Sequence, residues 1–166
     1  NNGHAINERQ ELNNAIYLAE TCYHTMQKNA FSWYLLASVY GHQKIRRFED
    51  ALVWYQKCYG YHKENKNSEQ VLNLGYEIGI CITYLDRYSE ALMYLRSSLN
   101  QIYETREDLF KIRYKIYRQM IFCYNNLPNK KEEICGIMQI ACDEKSNFVL
   151  MSGITSCDYV NRYCGN

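Results

Sequence analysis

The sequence predicts an all-α fold, an α-solenoid of antiparallel helix hairpins with about eight helices. Three observations predict it. First, one stretch recurs along the chain, at residues 12–23, 48–59 and 88–99, with a small residue at the same place in each copy: Ala15, Ala51 and Ala91. A weaker fourth copy covers 131–138, where Ile134 takes the place of Leu92. Steps of about 36 to 42 residues are the period of stacked two-helix units. Second, apolar residues within the copies share one helix face, as Leu52, Tyr55, Cys58 and Tyr59 do, and as Leu92, Leu95 and Leu99 do. Third, the chain has one proline, Pro128, and eight glycines in 166 residues, too few turn formers for a β-rich fold.

Each element follows from local signals. The first copy, in a piece at 9–28, supplies a helix without a preceding partner. A helix at 31–40 and the copy after it make the piece 30–64. The polar run Asn65 to Ser68 ends that piece, with Ser68 as the expected N-cap of a helix at 70–85. Asp86 and Arg87 form a tight corner inside the piece 68–105. A helix at 108–127 opens the piece 107–145 and stops at Asn125-Asn126-Leu127-Pro128-Asn129, because proline cannot continue a helix. Ser146 and Asn147 break the chain before a last helix, within 147–164. All of this reads as one domain over residues 1–166. The unpaired first helix and the absence of an initiator Met lead us to expect a fragment of a larger protein.

Composition bounds the function. Apolar residues make up 47%, enough for a continuous core without metal. A net charge of +1 gives no general drive toward nucleic acid or membrane. No apolar run approaches the roughly 20 residues of a membrane helix. The eight cysteines, at 22, 58, 81, 123, 135, 142, 157 and 164, include no CxxC pair and lie inside apolar helical patterns. They read as reduced, small hydrophobes. With a polar start (Asn1, Asn2, Gly3, His4), they lead us to expect a cytoplasmic protein.

The order of large, small and aromatic residues resembles the tetratricopeptide repeat. It stands here as Leu36, Ala37 and Tyr40 followed by Phe48, Ala51, Tyr55 and Cys58, then as Ile78, Gly79 and Ile82 followed by Tyr88, Ala91, Leu95 and Ser98. A third version is Met120, Ile121 and Tyr124 followed by Glu133, Ile137 and Ile140. Small residues let paired helices approach, and large ones fill the groove between pairs. Cys22 and Cys58 occupy places where the family has a small residue. The resemblance covers about 11–142. It departs from the family in the long 41–47 loop, in Ile121 and Glu133, and in having no proline to close each repeat.

Motifs for catalysis and metal binding are missing. His4, His24, His42 and His62 are scattered, without zinc-site spacing. There is no glycine-rich phosphate loop. Gly75 and Gly79 flank Glu77, which excludes a membrane dimer motif and leaves close helix contact as their use. Lys44, Arg46 and Arg47 form a small basic corner without the context of a nucleic-acid site. No enzyme and no cofactor is expected.

The resemblance implies a ligand along the wall built from the first helix of each pair. That wall offers Tyr34 and Ser38, then Asn73, Tyr76, Ile80, Thr83 and Tyr84, then Lys115, Arg118, Phe122, Asn125 and Asn126. From these, Asn73, Tyr76, Tyr84, Lys115, Arg118, Asn125 and Asn126 are the expected peptide-binding residues. Asn side chains hydrogen-bond a peptide backbone as donor and acceptor, and Tyr supplies rigid contact area. Lys115 and Arg118 take a carboxylate, but the two-carboxylate clamp of chaperone-binding members is not reproduced. The expected function is peptide or protein binding, with a scaffold or assembly adaptor as the alternative. Bacterial peptide-pheromone receptors are a more specific resemblance. They imply a sensor role, a DNA-binding domain upstream and no direct contact of this chain with nucleic acid. Homodimerisation is expected at 148–163.

Overall fold

The computed structural model describes residues 2–26, 29–105, 110–143 and 153–164. The chain forms two compact units, Asn1–Arg87 and Tyr88–Asn166. The boundary falls at the Asp86-Arg87 corner, inside the 68–105 piece. All nine elements among the described residues, eight α-helices and one π-helical turn, are helical, and none is long and apolar enough to cross a membrane.

The first unit holds α1 (Asn2–Thr25), α2 (Ala30–Tyr40), α3 (Phe48–Glu64) and α4 (Ser68–Tyr84). Consecutive helices pack on one another. Helix α1 begins earlier than the repeat pattern predicts. Asn29 starts α2 with a capping box: its Oδ1 accepts from the Ser32 amide at 3.0 Å, and Ser32 Oγ accepts from the Asn29 amide at 3.2 Å. Asn67, not Ser68, caps α4, its Oδ1 accepting from the Gln70 amide at 3.3 Å. The longer asparagine side chain reaches that orphan donor, and Ser68 becomes the first helical residue.

Helices α2, α3 and α4 run antiparallel in turn. Cys58, late in α3, donates its thiol to Ala30 O at the start of α2 (3.3 Å). Phe48, which opens α3, stacks on Tyr84 at the end of α4. The core between them is Leu36, Ala37, Ala51, Leu52, Tyr55, Cys58, Leu72, Ile78 and Ile82, all buried. Gly75 and Gly79 are buried in α4, as their expected role in close contact requires. At Gly41 a β-carbon would lie 3.1 Å from Ala37 O and 3.4 Å from Ala51 Cβ, so a side chain there would crowd the last turn of α2.

A polar network ties α1, α2 and α3 together. Tyr40 donates its hydroxyl to Glu20 Oε1 at 2.7 Å. The Arg47 guanidinium lies 4.1 Å above the Tyr40 ring and donates through Nε to Asp50 Oδ2 at 2.7 Å. Burial, then the Glu20 carboxylate, push the Tyr40 phenol up to about 12.

The second unit holds α5 (Tyr88–Thr105), α6 (Phe110–Asn125), α7 (Lys131–Asp143) and the short α8 (Ser156–Tyr159). Arg96 of α5 donates to the Tyr124 hydroxyl near the end of α6, and Tyr88 meets Phe122 edge-on, so these helices are antiparallel too. The core is Ala91, Leu95, Ile116, Tyr117, Met120, Cys123, Ile137, Met138 and Ala141. Four bends between helices are set by residues in the left-handed region: Arg46, Lys66, Asp86 and Asn129, with φ between 54° and 59°.

The C-terminal end differs from expectation in two ways. The described part of the 147–164 helix is only α8 followed by a π-helical turn, Val160–Cys164. Residues 148–152 of that expected helix lie outside the described residues. Gly153, in a left-handed conformation (φ 78°), and the capping Thr155 fix where α8 starts. The second correction concerns the cysteines. Four of the eight are not reduced hydrophobes: Cys135 is bonded to Cys164, and Cys142 to Cys157. Cys135 and Cys142 are two helical turns apart on one face of α7, and Cys157 and Cys164 have the same spacing. Two antiparallel segments with that spacing bring both pairs into register at once. Cys22, Cys58, Cys81 and Cys123 remain thiols, and the last three are buried as expected of small core residues.

Candidate functional site

The expected wall residues are described within each unit. In the first unit, Tyr34 on α2 is exposed and its ring meets that of Tyr55 on α3 at 5.9 Å. Burial, then the negative charge of Glu77 on α4, raise the Tyr34 phenol. The same causes, in the same order, raise Tyr55. Both phenols therefore stay protonated as donors at neutral pH. Glu77 is a member of this surface that the repeat register alone did not single out; its signal was its place between Tyr76 and Ile78.

Asn73 and Tyr76 are half-buried on α4, and Tyr84 is 43% exposed at its end. Tyr84 is held on two sides. Its ring is stacked on Phe48 with centroids 4.5 Å apart and planes 6° from parallel. Its hydroxyl accepts from Gln43 Nε2 at 3.0 Å. A ring fixed in this way presents its open face without further ordering cost. Thr83 is buried and donates its hydroxyl to Gly79 O at 2.7 Å, so it does not belong to the surface.

In the second unit, Lys115, Arg118, Phe122 and Asn125 are exposed along one face of α6. The opposite face, with Ile116, Tyr117, Met120, Cys123 and Tyr124, is buried. Lys115 and Arg118 make no ion pair among the described residues. Arg113 is buried at 7% exposure and stands apart from them, as its helical position predicts. Asn126 is exposed, but its Nδ2 donates to Phe122 O at 2.8 Å, which ties one of its two amide N–H donors to the end of α6.

Thus Asn73, Tyr76 and Tyr84 share α4 with Glu77, and Lys115, Arg118 and Asn125 share α6 with Phe122. Phe31, 62% exposed on α2, holds the register place that Asn73 and Lys115 hold on α4 and α6. The register was its only signal in the sequence.

A second recurring feature lies on the other helix of each pair. Tyr17, Val53 and Met93, each two residues after the repeated alanine, are 68%, 62% and 64% exposed. Among the described residues, no group of three His, Cys, Asp or Glu side chains is placed to hold a metal ion. No protein family, no characterised protein and no solved structure matches the chain.

Proposed function

We propose that this chain is a non-enzymatic binding module whose helix pairs stack as a tetratricopeptide-like α-solenoid, and that it takes an extended peptide or protein segment along the faces of the first helices. One observation carries this reading. Residues at matching register on α4 and α6 keep aromatic, amide and basic side chains at the surface, while the opposite faces of the same helices are buried. The α4 face offers rigid rings for contact area and Asn73 for a peptide backbone; the α6 face offers Asn125 for a backbone and Lys115 with Arg118 for a carboxylate. A sensor role of the pheromone-receptor kind belongs to the same proposal. The two disulfides weigh against a cytoplasmic setting, because persistent bridges belong to oxidising compartments.

The test is a peptide-library selection on the full chain, repeated with Lys115→Glu combined with Arg118→Glu. Selected peptides with an acidic group should lose at least about tenfold in affinity, roughly 1.4 kcal/mol. Unchanged affinity would end the reading.

A second reading, an assembly adaptor, is favoured by the recurring exposed apolar position at Tyr17, Val53 and Met93. Under it, Val53→Lys with Met93→Lys abolishes capture of a folded partner, and short peptides do not compete.

A further inference from the structure

The chain has two tryptophans, and both flank one ammonium group. Lys57 Nζ of α3 lies 4.5 Å from the ring centre of Trp33 on α2 and 5.3 Å from that of Trp54 on its own helix. Both distances fall within the ~6 Å at which a ring face attracts a cation. A tyrosine supports each indole. Tyr61 meets Trp33 with centroids 6.0 Å apart and planes at 85°, and Tyr23 of α1 meets Trp54 at 4.8 Å and 61°. Three helices of the first unit thus build a slot with two indole walls and a cation in it.

Repeat packing does not account for this slot. The register counterparts of Trp54 are Leu18 and Tyr94, those of Trp33 are Gly75 and Tyr117, and those of Lys57 are Thr21 and Ser97. Apolar packing does not require an indole at position 33 either. Its Nε1 is buried without a hydrogen-bond partner among the described residues, a cost that a phenyl ring or a leucine would avoid. An indole face is, however, the best side-chain surface for a cation. Gly60 lies about one turn beyond Lys57, inside α3, where glycine costs helix stability. A β-carbon there would meet nothing within 4 Å, so no neighbour demands the glycine, and it leaves open space beside the slot.

Lys57 is a weakly tied occupant. It is exposed, and among the described residues its ammonium makes no hydrogen bond or ion pair and rests on the two ring faces alone. Its three N–H donors are better served by water, since an ammonium is strongly hydrated. A trimethylammonium group has no N–H to satisfy and is covered by apolar methyls, so it gives up less hydration on entering between the rings. Lys57 turned outward would leave a positive charge at the mouth of the slot. That charge favours a ligand whose cation is followed by an anion.

We propose that Trp33 and Trp54 form a binding site for a trimethylammonium zwitterion of the phosphocholine class. The methylated cation replaces the Lys57 ammonium between the indoles, and Lys57 turns outward to pair with the phosphate. The site uses none of the residues proposed to bind a peptide and does not rest on that reading.

The experiment titrates the full chain with phosphocholine, phosphoethanolamine and choline by isothermal calorimetry. Phosphocholine should bind at least about tenfold more tightly than phosphoethanolamine, which has the same anion without the methyl groups. Trp33→Leu and Trp54→Leu should each weaken phosphocholine about tenfold, with helical circular dichroism unchanged. Lys57→Gln alters an exposed position and keeps the test valid if a tryptophan variant unfolds. It should produce a crossover: choline binds more tightly than to the parent, because the resident competitor is gone, while phosphocholine loses its advantage over choline. Sedimentation with phosphatidylcholine vesicles tells the two sources of the group apart. Binding to the vesicles as well as to phosphocholine assigns the site to a lipid headgroup, and binding to phosphocholine alone assigns it to the free compound; both support the proposal. Absence of saturable phosphocholine binding would overturn it. So would equal affinity for phosphoethanolamine, or a Lys57→Gln variant with unchanged affinity for both choline and phosphocholine.

Discussion

The two units reach order by different means. The first buries Phe48, Leu72, Ile78 and Ile82 among consecutive helices and keeps its buried cysteines as thiols. The second has a comparable apolar core around Leu95, Tyr117 and Met138, but its last segment is attached by sulfur. The difference teaches where apolar area suffices. Helices α2, α3 and α4 each bury a stripe of side chains, whereas the four-residue α8 buries only Ser156.

The sharpest way to break this contrast is in the first unit. Phe48→Ala should lower its stability by about 3–5 kcal/mol, since it empties a core site and removes the ring under Tyr84. Urea unfolding followed by Trp33 and Trp54 fluorescence measures it, and reductant should not change the size of the loss. The second unit should respond in the opposite manner. Replacing Cys142 and Cys157 by serine opens a link with a sequence separation of 15 and should cost about 3 kcal/mol in the oxidised protein. In the reduced protein the same replacement should cost little, and a large loss there would mean that the thiols pack rather than bridge.

A smaller effect sharpens the account of the first unit. Tyr40→Phe removes the hydroxyl bonded to Glu20 and should cost about 1 kcal/mol at neutral pH. Because folding raises the phenol from 10.0 to about 12, its contribution is complete below pH 10 and is lost as pH climbs toward 12. The variant should therefore lose less stability than the parent across that window, as seen by circular dichroism at stepped pH. The smallest effect belongs to the α6 surface. Lys115→Glu with Arg118→Glu should change the unfolding free energy by no more than about 0.5 kcal/mol, so any change in binding reports on the surface itself.

Much of the helical layout was legible because it depends on local pattern. Ala51 and Ala91, which mark the repeat, are fully buried, and the corner at Asp86 falls where the charged pair predicted it. The N-cap was misassigned by one residue because Asn67 and Ser68 are both good caps, and only backbone geometry separates them. The bridges were missed for a different reason. Cysteines inside an apolar pattern read as hydrophobes, and their matched sevenfold spacing acquires meaning only once two antiparallel segments are side by side. The candidate surface was legible as helix faces, since Lys115, Arg118 and Asn125 are exposed together. The stack of Tyr84 on Phe48 and the commitment of Asn126 to its own helix end depend on contacts that periodicity does not encode.

The bends at Arg46 and Lys66 carry a last consequence. A long side chain in the left-handed region costs about 1 kcal/mol, whereas asparagine or aspartate, as at Asn129 and Asp86, tolerates it better. Both positions are solvent-facing, and neither is one of the aromatic or basic residues of those faces. They are natural points for an engineer to graft asparagine, raising heat tolerance one corner at a time without replacing a residue of the proposed binding faces.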